Sequence, residues 1–263
     1  MSKKLQFVEQ TIDSRGVAVL SLNRAEKNNA LNAELIAELT QCLLELADNK
    51  QIRVLLLQGH GKHFCAGADL KSMASMKDKD YQQNLDDALC LAELFSLINT
   101  FPKPTVVKIQ GAVYGGGLGL IACCDIAIVA ADSLFCFSEV KLGLSPATIC
   151  PYVVAAIGER AARRYLLSGE TFASDRAHAM GLVHEVVAVD DLEENVNTLI
   201  DTLVTNGPIA MMETKALIQK TAKSELSIEL KQSTAELIAR LRTSSEGQEG
   251  LAAFFEKRSP RWK

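Results

Sequence analysis

No run of apolar residues in this 263-residue sequence approaches the roughly 18 that a membrane-crossing helix needs, and residues 1–7 hold no apolar segment of signal-peptide length. The expectation is a cytoplasmic protein with no membrane partner. An excess of basic charge is missing too: 28 Lys and Arg stand against 32 Asp and Glu, a formal net charge of −4. A broad nucleic-acid-binding face needs clustered Lys and Arg, and the densest cluster here, Arg160 with Arg163 and Arg164, is small. No nucleic-acid partner is expected, and any polyanion has to be met by a local group of lysines. The cysteines at 42, 65, 90, 123, 124, 136 and 150 form no C-x-x-C pair and mostly lie in apolar runs. That spacing disfavours zinc and disulfides and fits buried free thiols in a reducing compartment. His60 and His63 lie three residues apart, but no acidic or thiol cluster completes a metal set around them, so no metal is expected. Low-complexity tracts, internal repeats and Gly-, Ser- or Pro-rich linkers are absent, and nothing marks a flexible boundary between independent domains.

What is present suffices for a sizeable core: 48% of the residues are hydrophobic and 23% charged. Residues 17–22 read as a strand that breaks at Asn23, and Asn32 begins a helical pattern in which Leu35, Leu39, Leu43 and Leu46 share a face. Residues 54–57 are a short buried strand, 59–68 a glycine-punctuated loop, and 81–98 an amphipathic helix stopped before Pro102 and Pro104. A strand at 105–109, a glycine turn, an apolar helix at 118–124 and a strand at 126–129 follow. Their spacing suits crossovers in a partly parallel sheet. After Pro151 the pattern turns helical, with helices expected at 160–167, 174–180, 191–205, 210–221 and 224–242. Residues 1–200 read as the core and 201–263 as a C-terminal helical region. Leu251, Phe254 and Phe255 near its end invite self-association.

Chemistry concentrates around Gly111-Ala-Val-Tyr-Gly-Gly-Gly-Leu-Gly119. A glycine run that opens an apolar helix presents backbone N–H groups unobstructed by side chains, and such donors hold a negative oxygen without a charged residue. A second glycine turn at Gly67-Ala68 supplies another donor, and Glu139 is a carboxyl group in an otherwise apolar segment. Two donors and one acid make a reaction site. Taken alone, each feature has a plainer reading. Three glycines also allow close strand-to-helix packing, and Glu139 within the alternating stretch 138–142 also fits a surface position. The run fails as a dinucleotide fingerprint, since Leu120 stands where the last glycine counted from Gly115 belongs. Cys65 near His63 is better read as a packed thiol than as a nucleophile.

In order and spacing these residues resemble the crotonase superfamily, the enoyl-CoA hydratase/isomerase fold. The resemblance covers essentially the whole chain and rests on Asn23-Arg24 with Asn29-Ala-Leu-Asn32, on Phe64-Cys-Ala-Gly-Ala-Asp69, and on the run 111–119. It continues through Cys124-Asp-Ile126, Ser138-Glu139 with Gly143 and Pro146, Ala179-Met-Gly-Leu-Val183, and Glu246-Gly247 with Phe254-Phe-Glu-Lys-Arg258. It implies an α/β crotonase-type spiral of ββα units with a C-terminal helical trimerisation region, assembled as a homotrimer or homohexamer. It implies an acyl-CoA substrate and no permanently bound cofactor, coenzyme A arriving as part of the substrate. By motif, the thioester oxygen falls between the N–H groups of Ala68 and Gly116, which stabilise an enolate. The coenzyme A lies along Ala66, Gly67, Ala68 and Asp69, with Lys27, Lys62 and Lys71 near its phosphates.

Hydratases of this superfamily commonly use two glutamates around one water. The second is matched by Glu139, but Gly119 replaces the first. One carboxylate can take a proton from water and return it to the α-carbon on the same face, which preserves hydration with a single acid. A lone acid also suits double-bond isomerisation, and related enzymes decarboxylate acyl-CoAs with little help from a base. Residues 114–125 and 135–165 resemble the bacterial branch of methylglutaconyl-CoA hydratases, so hydration of 3-methylglutaconyl-CoA or a similar enoyl-CoA, in leucine breakdown, is the leading expectation. Such a substrate carries a second carboxylate and calls for a cation deep in the pocket that the sequence does not assign. A non-catalytic CoA- or RNA-binding protein is the reading from a different class, and the acidic balance disfavours its RNA-binding form.

Overall fold

Continuous apolar runs become the interior strands of the computed structural model, which describes residues 2–222 and 224–262. The chain opens with an antiparallel meander of β1 (Ser2–Lys4), β2 (Val8–Ile12) and β3 (Val17–Leu22). It crosses through α1 (Ala33–Asp48) to β4 (Val54–Gly59), which lies parallel to β3. Asn32 starts α1 by accepting the Leu35 N–H on its side chain, and Leu35, Leu39, Cys42, Leu43 and Leu46 form the buried face. Next come α2 (Leu70–Ser75) and α3 (Tyr81–Asn99), the latter opened by a reciprocal capping box between Asp80 and Gln83. Then follow β5 (Thr105–Ile109), β6 (Ala112–Tyr114), α4 (Gly116–Cys123), β7 (Ile126–Ala130) and β8 (Leu134–Cys136). The core is completed by α5 (Cys150–Ser168), β9 (Phe172–Ala173), α6 (Ser174–Ala179) and β10 (Glu185–Val187).

Seven strands form one sheet in the order β1-β2-β3-β4-β5-β7-β10, and a second sheet is ordered β6-β8-β9. From β3 onward the large sheet is parallel. Parallel strands are covered on both faces, and two apolar clusters do this here. The larger packs α1, α3, α4 and α5 against one face through residues such as Leu39, Phe95, Leu118 and Val153. The smaller sets Leu192, Val196 and Ile200 of α7 (Leu192–Thr205) against Val54, Val106 and Ile128 on the other.

α8 (Pro208–Thr221), α9 (Ile228–Thr243) and α10 (Ser245–Phe255) finish the chain. Lys215 of α8 ties them to the core through Asp125 at 2.7 Å. The architecture is α/β, as expected, while several boundaries moved. The helix expected at 224–242 begins at Ile228, because the Ser227 hydroxyl accepts the Leu230 N–H and caps it there. The helix expected at 160–167 starts ten residues earlier, with Pro151 in its first turn, where a missing N–H costs nothing, and a break at Gly158 (φ 73°). Residues 139–142 form a 3-10 turn and not an alternating extended stretch. The expected division at 200–201 falls inside α7. Among the described residues no helix is long and apolar enough to cross a membrane.

Candidate active site

Two glycine turns and one 3-10 turn meet at a single cavity of about 360 Å³. Ala68, Gly116 and Glu139 all line it, so three residues read separately from the sequence converge in space.

The first turn is held from behind by a neighbouring loop. Asn29 is fully buried at φ 54°, and its Nδ2 donates to the carbonyls of His60, His63 and Phe64 at 2.9, 2.9 and 3.1 Å. The Leu31 N–H donates to Gly67 O at 2.7 Å, and the Asp69 N–H donates to Leu31 O at 2.9 Å. In a parallel bridge of this kind the flanking residues take the partner's bonds, so the N–H of Ala68 itself points away from Leu31. Gly67 has φ 82°, and a Cβ there would lie 2.8 Å from Tyr114 O. Only glycine fits that corner.

In the second turn Gly115 adopts φ 46°, donating its own N–H to Cys136 O at 3.1 Å. This leaves Gly116 as the first residue of α4, where a backbone N–H has no acceptor within the helix. The N-terminal end of a helix also carries partial positive charge. A carbonyl oxygen between Ala68 and Gly116 would therefore meet two uncommitted donors, an arrangement able to hold an oxyanion.

Glu139 opens the 3-10 turn that follows β8, and its side chain packs over the glycine corner. A Cβ on Gly115 would lie 3.0 Å from Glu139 Oε1. Glu139 Oε2 is buried without a hydrogen-bond partner among the described residues. Burial pushes the Glu139 pKa above the usual carboxylate range, opposed only by a backbone hydrogen bond. A carboxyl group whose pKa is raised by burial is suited to acid–base chemistry.

At Gly119, where relatives often place their first glutamate, the wall is hydrocarbon. A Cβ there would lie 2.3 Å from Ile149 Cγ2 and 2.8 Å from the Phe95 ring. The space for a second carboxyl is occupied.

The other residues singled out from the sequence divide. Asp69 lines the cavity, but its carboxylate is committed to Arg24 at 2.6 Å and to the N–H groups of Lys71 and Ser72. Burial alone would raise its pKa; these partners outweigh that and hold it below the usual range. Ala66 donates its N–H to Asn28 O. Lys27, Lys62 and Lys71 are exposed on the flanking segments and do not line the cavity. Cys65 is buried, its pKa pushed up to about 12 by desolvation, and its thiol donates to Asn29 O, so it is a packing residue. His60 pairs with Glu9 and His63 accepts the Ala112 N–H. Among the described residues no three His, Cys, Asp or Glu side chains are grouped to hold a metal.

The residues that sequence reading missed are the remaining walls. Met73, Met76 and Lys79 come from α2 and the turn after it, Leu91 from α3, and Leu144 and Ile149 from the segment after Glu139. No local pattern distinguishes them from ordinary helix and loop residues, and only their convergence makes a cavity.

The sequence model of the family described as enoyl-CoA hydratase/isomerase matches residues 13–263. The crystal structure of an enoyl-CoA hydratase from Shewanella pealeana superposes with a TM-score of 0.94 at 46% identity, covering 98% of this chain and 97% of that one. Pseudomonas aeruginosa AtuE superposes with a TM-score of 0.94 at 34% identity, covering 98% and 99%. The 2,3-dehydroadipyl-CoA hydratase of Escherichia coli is 30% identical over 248 residues, 94% of this chain and 95% of its own length.

Proposed function

This chain belongs to the enoyl-CoA hydratase/isomerase family, and from that premise we propose that it adds water to an enoyl-CoA with Glu139 as its only acid–base group. It is an acyl-CoA-processing enzyme; the division of labour among its residues is our reading. The observation that carries it is the convergence of Ala68, Gly116 and a poorly solvated Glu139 on one cavity, which Ile149, packed against Gly119, also lines.

In this reading the thioester oxygen accepts hydrogen bonds from the N–H groups of Ala68 and Gly116. As the water oxygen bonds to the β-carbon, the Glu139 carboxylate takes a proton from that water, and the π electrons move through the α-carbon to the thioester oxygen. The enolate then collapses as Glu139 returns the proton to the α-carbon. The acid ends as it began, and the elements of one water have been added on one face. Pre-aimed donors of this kind contribute about 2.7–4 kcal/mol each to the transition state. The coenzyme A portion runs along Ala66, Gly67 and Ala68 beside Asp69, with Lys27, Lys62 and Lys71 available to its phosphates.

For the acyl group we propose 3-methylglutaconyl-CoA or a related enoyl-CoA with a distal carboxylate, supported by the likeness to an enzyme named for a dehydroadipyl thioester. A second reading, double-bond isomerisation, is favoured by the hydrocarbon at Gly119, because a proton shuttled between two carbons needs no second carboxylate. The exposed apolar residues of α9 and α10 support assembly as a trimer or hexamer, Phe254 and Phe255 being 77% and 76% exposed.

The test is loss of the conjugated-thioester absorbance when the purified protein meets 3-methylglutaconyl-CoA, with crotonyl-CoA in parallel. Rapid loss with the branched substrate supports single-acid hydration. Loss with neither, together with migration of the double bond in a 3-enoyl-CoA, moves the assignment to isomerase.

A further inference from the structure

A distal carboxylate in the acyl cavity needs a cation, and one wall holds it. Lys79 lies in the turn between α2 and α3 and lines the same cavity as Ala68, Gly116 and Glu139. No other Lys or Arg lines it among the described residues. Its ammonium stands 3.6 Å from Asp87 Oδ1, beyond the 2.7–3.2 Å of a hydrogen bond. The other ion pairs among the described residues close to 2.9 Å or less. Nζ of Lys79 has no hydrogen-bond acceptor among the described residues, and its side chain, 37% exposed, keeps its donors available.

The anions around it are accounted for individually. Asp69 is paired with Arg24, and the Glu139 carboxyl is packed over the Gly115 corner. Glu34 sits exposed in the first turn of α1, and Asp87 is the loose partner of Lys79 itself. Beside Lys79 the same wall presents Met73, Met76 and Leu91. A neutral acyl end meets hydrocarbon there. An anionic end has one place to go, and next to apolar surface the attraction to a cation is stronger than in open water.

We propose that Lys79 binds the distal carboxylate of an ω-carboxyl acyl-CoA and sets the enzyme's preference for such substrates over neutral ones. The proposal rests on the acyl-CoA reading above and deepens it by naming the residue that selects the distal carboxylate. Lys79 exchanges Asp87 for the substrate's carboxylate, forming at least one charge-assisted hydrogen bond that Asp87 does not form.

The test uses saturated acyl-CoAs that cannot be hydrated, so binding is separated from turnover. Calorimetry on the full chain compares glutaryl-CoA with valeryl-CoA, which match in length and differ in the terminal carboxylate. The wild-type protein is expected to bind glutaryl-CoA about tenfold more tightly, one charged hydrogen bond's worth. Lys79→Met should erase that ratio. Asp87→Asn, which removes the competing carboxylate and leaves the lysine, should raise it about threefold. A wild-type ratio near one, or a ratio unmoved by both substitutions, overturns the assignment of Lys79. Failure of both acyl-CoAs to bind is a different result, since it removes the acyl-CoA reading beneath the proposal.

Discussion

Gly115 and Gly119 stand one helical turn apart on the same glycine run, yet a side chain grown from each would enter opposite chemistry. From Gly115 it would strike the carboxylate of Glu139 at 3.0 Å; from Gly119 it would strike Ile149 at 2.3 Å and Phe95 at 2.8 Å. Both are closed to larger residues, one by an acid and one by hydrocarbon. Glu139 is thus placed at the mouth of α4, beside the N–H of Gly116, and the next turn of that helix is packed with hydrocarbon. A site built this way places proton transfer on one side of the substrate.

That contrast can be broken from its acidic end first. Glu139→Gln keeps the shape and removes the proton exchange, and we expect turnover to fall about 10³-fold, with acyl-CoA affinity retained; steady-state hydration and calorimetry read the two. Full activity in that variant would mean the acid has been misassigned. Gly116→Pro deletes the proposed donor at a helix position where proline is tolerated, with the flexible end of Leu31 at 3.0 Å and the Phe95 ring at 3.9 Å from its Cβ. We expect kcat to drop about 10²-fold with little change in KM.

The hydrocarbon end is sharpened by stability. Gly119→Ala should cost about 2 kcal/mol in urea unfolding, because the added methyl overlaps Ile149. Combined with Ile149→Ala, the loss should be smaller than the sum of the two by about 1 kcal/mol. Strict additivity would show that the two positions do not share that space. The smallest effect is on pH. Burial raises the Glu139 pKa, and the base works only as carboxylate, so activity is full above that pKa and is lost as pH falls through it. The acid limb of kcat/KM should therefore lie above the ordinary glutamate value of about 4.3.

The legibility of the molecule followed the range of the forces involved. The helix from Asn32 was readable because cap and apolar period are local, and the structure places the cap on Asn32 and buries Leu35, Leu39, Leu43 and Leu46. The strands at β4, β5 and β7 were readable because both of their faces are covered and their sequences are therefore continuously apolar. The start of α9 was misjudged by four residues, since the Ser227 hydroxyl accepts the Leu230 N–H and sets the first turn at Ile228. The Glu139 segment misled more. Its alternation also fitted a surface position, whereas the segment forms a 3-10 turn that sets the carboxyl beside Gly115.

The sequence by itself determined the parts that depend on backbone conformation and short spacing: the two glycine turns at Gly67 and Gly115, and a glycine, not an acid, at position 119. Only the tertiary structure decided what packs against that glycine and what surrounds Glu139. Ile149, Phe95, Lys79 and Asp69 come from separate segments, and whether each presents hydrocarbon, a loosely paired ammonium or a tightly paired carboxylate depends on the partners that folding brings to it. How tightly a charge is paired cannot be read along the chain, because pairing and burial are properties of neighbours in space.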